Sequence, residues 1–280
     1  MTNERREGPD AQTYRHEWSF ALSLATRASG LARSFFGTEL DVRHKPDGSP
    51  VTDADVAVEA MLRAEIAAAY PDDAVLGEEA GPAGSSSRRW VLDPIDGTKN
   101  FVDGIQLWAT IVGLLVDDEP VVGVVDAPAL GERYDAIRGG GARLNATPIH
   151  VSTTDRVSDA LVLHSGVQGW LGGPHWAAFE RLAREAERTR DYCDFWGPML
   201  VARGSADAIL EADLSWPWDW AAPSLIVREA GGSMTTFDGA RPAGACSVLS
   251  TNGRLHDEIL RMLRGEPAVI DAAAPDTVGS

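Results

Sequence analysis

The chain has 280 residues, 44% of them hydrophobic, and a formal net charge of −17 at pH 7. This length suits one large domain or two closely packed ones. A chain this acidic repels nucleic acid and anionic membrane surfaces, so we expect neither as a partner. Two cysteines in a chain of this length do not form a disulfide framework, and no segment approaches the roughly 20 apolar residues of a membrane span. The composition therefore predicts a soluble protein of the reducing cytoplasm.

The first half of the chain is predicted to begin with a disordered segment, residues 1–13, followed by an α+β unit over residues 14–150. Apolar side chains that recur every three or four residues predict a helix over 17–36. A loop rich in turn-forming residues occupies 45–50, and Thr52 or Asp53 is the expected N-cap of a second helix that ends near Tyr70. The predicted strands of this half lie at 40–43, 75–77, 90–92, 109–116, 121–127, 134–137 and 142–144, and residues 81–87 are expected to form a loop.

The second half, residues 151–264, is predicted to alternate strands and helices. A strongly apolar helix over 220–230 is closed by Gly231 and Gly232, which are a strong C-cap signal. Further helices are predicted at 175–189, 198–202 and 255–263, with strands at 161–163, 208–210, 234–236 and 247–250. We expect the tail, residues 265–280, to be disordered. This order of elements predicts layered helices and sheets in two abutting halves.

Acidic side chains follow apolar segments at three separate places. The run Trp90-Val91-Leu92 ends in Asp93-Pro94-Ile95-Asp96, Val75-Leu76-Gly77 ends in Glu78, and Asp219 lies in a tryptophan-rich segment. Carboxylates at strand ends are ligands for hard cations, so we expect a cage for Mg²⁺ with phosphate as its partner. A divalent metal also explains how so acidic a chain handles an anionic substrate, because the metal inverts the local field.

The residues around Asp96 suit a bound phosphate. Pro94 removes a backbone donor, so the Ile95 carbonyl can turn toward a cation. Gly97 lets an anion approach the backbone, and the amides of Gly97 and Thr98 can begin a helix whose N-terminus holds phosphate. Asp53, next to the Thr52 hydroxyl, could orient and deprotonate a water molecule.

Each of these acids also has an ordinary structural interpretation. The pair Asp93 and Asp96 is typical of a surface turn, adjacent glutamates are usually solvated, and Asp219 can simply cap a helix. The tryptophans of residues 216–220 fit either a core or a wall for a ring-shaped substrate. The position of the acids directly after apolar segments favours the metal-binding interpretation.

Together these segments resemble the inositol monophosphatase family. The resemblance covers about residues 17–262 and rests on Gly77-Glu78-Glu79, on the segment 90–101, and on Trp218-Asp219-Trp220-Ala221-Ala222 followed by Glu229-Ala230-Gly231-Gly232. It implies a five-layer αβαβα sandwich of the inositol-monophosphatase and fructose-1,6-bisphosphatase type, usually a homodimer. It also implies a Mg²⁺-dependent phosphatase that Li⁺ inhibits.

The resemblance implies a role for each matching residue. The first metal would be held by Glu78, Asp93 and the Ile95 carbonyl, and the second by Asp93, Asp96 and Asp219. A third, weaker Mg²⁺ would lie near Glu78 and Asp53. The catalytic set would be Asp53, Thr98 and Glu78, in which Asp53 and Thr98 position the attacking water. Phosphate would be held by Gly97 and Thr98, with Lys45 at the edge of the site.

Within the family the chain is most similar to the histidinol-phosphate phosphatases of inositol-monophosphatase type. The segment 190–195 resembles their Arg-x-Tyr-Gly-Asp-Phe pattern, with Cys193 in place of glycine. The similarity implies that Asp194 faces the cationic amine or imidazole of the substrate, that Arg190 borders the pocket, and that Glu211 contacts the substrate. Two departures stand out: the bulk of Trp216-Pro217-Trp218, and a spacing from Glu211 to Asp219 that is one residue longer than usual.

The expected substrate is a small-molecule phosphate ester, with L-histidinol phosphate first. Inositol 1-phosphate and another sugar or nucleotide phosphate stay open as alternatives. A bisphosphate nucleotidase would need a more basic pocket, for which Arg190 and Arg203 are the main candidates. An inactive relative that only binds metal or phosphate is the alternative outside enzymes.

Overall fold

Two mixed β-sheets alternate with layers of helices, and a computed structural model describes them over residues 9–46, 48–192 and 194–266. The helices are α1 (Pro9–Thr13), α2 (Arg15–Phe35), α3 (Asp53–Ala69), α4 (Thr98–Val102), α5 (Trp176–Glu185), α6 (Trp196–Ala202), α7 (Pro217–Glu229) and α8 (His256–Leu263). The strands are β1 (Val42–His44), β2 (Pro50–Thr52), β3 (Ala74–Gly77), β4 (Gly81–Ala83), β5 (Arg88–Asp96), β6 (Ala109–Val116), β7 (Glu119–Ala127), β8 (Glu132–Ile137), β9 (Ala142–Leu144), β10 (Thr147–Pro148), β11 (Leu161–His164), β12 (Arg188–Asp191), β13 (Ala208–Ser215), β14 (Ser233–Thr236) and β15 (Cys246–Thr251).

The layers confirm the predicted five-layer αβαβα sandwich. Helices α2 and α3 cover an eight-stranded sheet, α6 and α7 lie between that sheet and a five-stranded one, and α5 and α8 cover the far side. Under α2 and α3, Leu24 and Leu62 belong to a core cluster with Trp90, Leu114 and Val122 of the sheet. Burial of each such side chain stabilises the fold by about 1.5–3 kcal/mol.

The pairing of β3 with β5 brings two acidic segments to one edge of the eight-stranded sheet. The strand order there is β10-β9-β8-β7-β6-β5-β3-β4, and β3 runs parallel to β5 with Gly77 opposite Leu92. Because parallel strands point the same way, Glu78 after β3 and Asp93 after Leu92 come out side by side. The five-stranded sheet has the order β12-β11-β13-β15-β14, with β11 parallel to both neighbours.

Helix α7 reaches the eight-stranded sheet at two glycines. Gly113 on β6 and Gly123 on β7 both face Ala222, and a methyl group at Gly123 would lie 2.9 Å from the Ala222 carbonyl oxygen. A larger side chain at Gly123 would push the helix away from the sheet. This close approach fixes α7, whose third residue, Asp219, reaches the acidic edge near Asp93.

Several boundaries differ from the expectation. Pro9–Thr13 form a helix within the segment predicted as disordered, and Gly81–Ala83 form β4 within a predicted loop. The helix predicted over 175–189 ends at Glu185, and Arg188–Asp191 form β12. The charges of that stretch suggested an exposed helix face, but sheets also place charged residues on edge strands, which β12 is. Residues 1–8, Cys193 and the predicted tail from residue 267 lie outside the described ranges.

The predicted division after residue 150 falls between the two sheets, whose strands come from residues 74–148 and 161–251. Across the described ranges, every helix is too short or too polar to cross a membrane.

Candidate active site

Three aspartate carboxylates converge where β5 ends and α7 begins. One oxygen from each of Asp93, Asp96 and Asp219 lies within 4.8 Å of the other two. In a regular strand, residues three apart point to opposite faces. The pairing of β5 with β6 is irregular between Asp93 and Asp96, at Pro94, which has no N–H to donate to the ladder. The irregularity lets both aspartates face the same place.

Asp219 reaches this cluster from the N-terminus of α7. Its Oδ2 accepts a hydrogen bond from the Trp216 amide at 2.7 Å. The N-cap of α7 is Trp216, not Asp219 as the ordinary structural interpretation predicts. Asp219 instead satisfies the amide of that capping residue and also belongs to the acidic cluster.

The electrostatics of the cluster favour a bound cation. Burial raises the pKa of Asp93 well above its usual range, and the charges of Glu78, Asp96 and Asp219 raise it further. Burial also raises the pKa of Asp96, and it raises the pKa of Asp219 to about 7. The Oδ1 atom of Asp93 is buried and has no hydrogen-bond partner among the described residues. A divalent cation satisfies such oxygens and relieves their repulsion, so the residues present fit a hard metal ion.

Lys45 lies between the two glutamates that follow β3. Its Nζ is 2.7 Å from Glu78 Oε1 and 2.9 Å from Glu79 Oε1. Burial lowers the pKa of Lys45, but the hydrogen bonds and charges of the two glutamates outweigh it and raise the pKa overall. Burial raises the pKa of Glu79 to about 7. The structure thus places Lys45 at the edge of the acidic site as a charged group.

Gly97 makes the turn from β5 into α4. Its backbone is left-handed, with φ of 82°, and a Cβ there would lie 2.7 Å from the Leu107 carbonyl oxygen. Glycine alone fits both constraints. Gly97 and Thr98 line a cleft of about 600 Å³, together with Glu78, Asp96 and Asp219.

The acid that reaches Thr98 is Asp55, not the predicted Asp53. Asp55 Oδ1 lies 3.4 Å from Thr98 Oγ1, which also donates to the Ile95 carbonyl at 3.0 Å. Asp55 is fully buried, and burial raises its pKa although hydrogen bonds from Thr52 lower it. Asp53 is the first residue of α3, and its Oδ1 is buried without a hydrogen-bond partner among the described residues.

A capping box explains why Asp55 turns back toward the site. Thr52 caps α3 by accepting from the amides of Ala54 and Asp55, and Asp55 Oδ2 accepts from the Thr52 amide at 2.8 Å and its hydroxyl at 2.6 Å. The signal was present in the sequence as Thr-x-x-Asp, in which the acid three residues after the cap reaches back to it. The adjacent pair Thr52-Asp53, taken alone, does not show this capping box.

Asp194 and Glu211, which come from the second half of the chain, also line the cleft, and we call their part of the lining the substrate wall. Asp194 has a left-handed backbone, with φ of 54°, and its Oδ2 lies 3.1 Å from Asn100 Nδ2. The next amide, that of Phe195, donates to Asp96 Oδ2 at 2.6 Å. Glu211 lies where the pairing of β13 with β15 becomes irregular, between Glu211 and Ser215.

The structure places Arg190 and the pair of Trp216 and Trp218 away from this wall. Arg190 is exposed on β12, its Nη1 donates to the Thr189 carbonyl at 2.7 Å, and it does not line the cleft. Trp216 and Trp218 stack on each other, with ring centroids 5.5 Å apart, and neither lines the cleft. Trp218 packs instead against the cluster that contains Trp220. Of the two interpretations left open for these tryptophans, the core is therefore favoured for Trp218, while Trp216 is 47% exposed and stacks on it.

Polar residues that the sequence interpretation left out also line the cleft. They are Ser49, Lys99, Asn100, Ser165, Gln168 and Ser215. Asn100 follows Thr98 within the segment 90–101, so its position was a usable signal. Ser165 and Gln168 lie in a glycine-containing loop after β11, which carries no motif.

Comparisons with known proteins agree with this geometry. The model of the inositol monophosphatase family matches residues 14–267. A histidinol-phosphatase of Streptomyces coelicolor is 45% identical over 251 residues, which cover 86% of this chain and 94% of that protein. A histidinol-phosphatase of Mycobacterium tuberculosis is 44% identical, over 87% of this chain and 96% of that protein. The solved inositol monophosphatase of Anabaena superposes with a TM-score of 0.80 at 28% identity, covering 91% of this chain and 98% of that one.

Proposed function

This chain belongs to the inositol monophosphatase family and is a metal-dependent phosphoric monoester hydrolase, and we propose that it hydrolyses L-histidinol phosphate to L-histidinol and phosphate. One observation supports this reaction above all. The carboxylates of Asp93, Asp96 and Asp219 converge at a cleft that Gly97 also lines. Hydrolysis of a phosphate ester needs mainly positioning and charge stabilisation, for which such a site is suited.

We assign the metal to Glu78, Asp93, the Ile95 carbonyl, Asp96 and Asp219, and propose Mg²⁺ as the natural ion. All five offer oxygen, which Mg²⁺ prefers over nitrogen or sulfur. Bound there, two or three Mg²⁺ ions would neutralise phosphate charge and lower the pKa of water. Competition by Li⁺ for this site would inhibit the enzyme.

The chain's own groups would orient the attacking water and the phosphate. Asp55 replaces Asp53 in this proposal, because its carboxylate is the one beside Thr98 Oγ1. A buried carboxylate with a raised pKa accepts a proton more readily than an exposed one. A water bound to both groups would give a proton to Asp55 as its oxygen bonds to phosphorus, while the bond from phosphorus to the ester oxygen breaks and the leaving alcohol takes a proton from solvent. The backbone of Gly97 and Thr98 would hold the phosphate oxygens on the other side.

The substrate assignment rests on the wall of Asp194 and Glu211. Histidinol phosphate carries a cationic amine, and both carboxylates line the cleft that contains the acidic cluster. The names of the two relatives at 45% and 44% identity support the same substrate. We assign Arg190 no contact with the substrate, because it does not line the cleft.

Inositol 1-phosphate is the second candidate, because the solved Anabaena relative is an inositol monophosphatase with the same fold. A bisphosphate nucleotidase is less well supported, because Lys99 is the one basic side chain among the described residues that line the cleft. Arg203 Nη1 binds Glu132 Oε1 at 2.6 Å, and Arg190 donates to its neighbour's carbonyl, so neither lines the cleft. An inactive relative is disfavoured because every acid of the proposed metal site is present.

We also propose a homodimer, which the family resemblance implies, and a cytoplasmic location, which the low cysteine content favours. Gel filtration with light scattering tests the first, and fractionation of the source cell tests the second.

The deciding experiment measures phosphate release with Mg²⁺, with and without Li⁺, from L-histidinol phosphate and myo-inositol 1-phosphate in parallel. A large preference for histidinol phosphate, lost with EDTA, is the expected result. A preference for inositol phosphate would move the assignment to the second candidate. Comparable weak rates on both would call for a wider panel that includes adenosine 3′,5′-bisphosphate, and Mn²⁺ binding without turnover of any ester would favour an inactive relative.

A further inference from the structure

Glu59 is a buried glutamate of α3 whose carboxylate binds the backbone of the turn that contains Glu78. We propose that Glu59 is a positioning residue for Glu78, acting on the metal through the backbone of this turn. The inference rests on the proposed role of Glu78 as a metal ligand. Glu59 is 1% exposed and does not line the cleft, so it touches neither metal nor substrate.

Both carboxylate oxygens of Glu59 bind the backbone directly after Glu78. Oε2 accepts from the Glu79 amide at 2.7 Å, and Oε1 accepts from the Ala80 amide at 3.0 Å. Hydrogen bonds from amides to a carboxylate are about twice as strong as those between neutral groups. The backbone after Glu78 is therefore held by two of the strongest bonds available to it.

Arg63 completes this support one turn further along α3. Its Nε donates to Glu59 Oε1 at 2.7 Å, and its Nη2 donates to the Gly81 carbonyl. On the opposite side, the Glu78 amide donates to the Leu92 carbonyl of β5 at 3.1 Å. The turn is thus held between a helix and a strand.

The fit of Glu59 against β3 leaves no room for a side chain at Gly77. A Cβ at Gly77 would lie 2.4 Å from Glu59 Oε1, and the other carboxylate atoms are almost as close. The carboxylate end of Glu59 would have to move to make room. Gly77 therefore offers a second, independent way to displace the Glu59 carboxylate without changing its charge.

One face of α3 serves two parts of the site. Asp55, Glu59 and Arg63 are spaced by four residues and so lie along the same face. Asp55 reaches Thr98, while Glu59 and Arg63 reach the turn after Glu78. A shift of this helix would move the proposed proton acceptor and a proposed metal ligand together. Losing such an indirect support of a metal ligand typically costs about 10–100-fold in metal affinity.

The first test is titration of the full chain with Mn²⁺, followed by electron paramagnetic resonance, for the wild type and Glu59→Gln. Glutamine keeps the volume but offers one acceptor for two amides and leaves Arg63 without its charge partner. We expect Mn²⁺ affinity to fall about tenfold. The matched control is Asp207→Asn, since Asp207 is also a buried carboxylate that accepts a backbone amide, that of Leu161 at 2.7 Å, in the other half of the molecule. Both variants should lower Tm, and only Glu59→Gln should weaken Mn²⁺ binding.

A double-mutant cycle with Glu78→Gln separates this inference from the function on which it rests. If Glu59 acts through Glu78, its substitution has little further effect on Mn²⁺ affinity once Glu78 is glutamine. A folded Glu59→Gln with unchanged affinity, or fully additive losses, overturns the inference alone. Unchanged affinity in Glu78→Gln overturns the metal role of Glu78 and the inference with it. If Glu59→Gln does not fold, Gly77→Ala decides by the same criteria, with weakened Mn²⁺ binding expected.

Discussion

The two walls of the cleft hold their acids on different kinds of backbone. On the metal-binding wall, Asp93 belongs to β5, paired on both sides within the eight-stranded sheet, and it is 2% exposed. On the substrate wall, Asp194 has a left-handed backbone and Glu211 begins an irregular stretch of β13. Asp93 is therefore held by a paired sheet, whereas the two acids that we propose to select the substrate lie at irregular backbone, which can change without disturbing a sheet.

The two walls are nevertheless joined by hydrogen bonds. The Phe195 amide donates to Asp96 Oδ2, and Asn100 connects Asp194 with the Leu107 carbonyl. Substitutions on one wall are expected to affect the other through these bonds and through charge, because burial and, to a smaller extent, the charge of Asp194 raise the pKa of both Asp96 and Asp219.

The largest effect is expected for Asp93→Asn. Asparagine removes a charge from the centre of the acidic cluster, so kcat/KM should fall at least about 1,000-fold, or about 4 kcal/mol of transition-state stabilisation. The fold should survive, because the substitution also removes repulsion with Glu78, Asp96 and Asp219. Phosphate release and Tm in EDTA test both parts. A variant that keeps most of its activity would contradict the assignment of the acidic cluster.

Asp55→Asn and Asp53→Asn are the sharpest test of the corrected water site. We expect about 100-fold or more loss of kcat for Asp55→Asn, since a positioned general base contributes about 10²–10⁴-fold. Asp53→Asn should change kcat less than about threefold, because its carboxylate does not contact Thr98. The reverse order would restore Asp53 as the group that positions water.

The difference between these two aspartates shows how far the sequence could be used. The position of acids directly after apolar segments indicated a metal site, and the family resemblance grouped Asp93, Asp96 and Asp219. Choosing Asp55 over Asp53 needed the capping box of Thr52 and Asp55, which sets the direction of the acid at the start of α3. A difference of two residues along a helix turns a side chain through more than half a turn.

The substrate wall was less predictable for a physical reason. Arg190 lies on an edge strand and the Trp216–Trp218 pair stacks on itself, and both outcomes depend on contacts between segments far apart in the chain. A strand of four residues and the first turn of a helix are too short to show a periodicity from which the direction of these side chains can be predicted. The layered fold was predictable because its helices and strands show strong periodicity and clear caps.

In the protein without bound metal, we expect the free energy of unfolding to fall as pH rises. Folding raises the pKa of Asp219 from 3.8 to about 7. The folded state therefore binds more protons than the unfolded state between these values, and stability is lost as pH rises from about 4 to 7. We expect Tm in EDTA to drop by roughly 5–10 °C across this window.

Excess Mg²⁺ should flatten this dependence, because the metal replaces the protons that the acidic cluster otherwise needs. Thermal unfolding at a series of pH values, with EDTA or with Mg²⁺, measures both curves. A metal-free protein whose Tm rises from pH 4 to 7 would show that these carboxylates are solvated or paired rather than buried together.

The smallest effect is expected for Asp194→Asn. This variant tests whether the two walls have different roles, because its effect should depend on the substrate. Asparagine keeps the shape and the bond from Asn100 but loses the charge that would face the amine of the substrate. We expect about a tenfold loss of kcat/KM for L-histidinol phosphate, the usual cost of one bond to a charged group, and less than about threefold for myo-inositol 1-phosphate. Glu211→Gln serves as the parallel variant on the same wall. Equal losses on both substrates would mean that Asp194 acts on the metal wall through the Phe195 amide and Asp96, and that substrate selection lies elsewhere in the cleft.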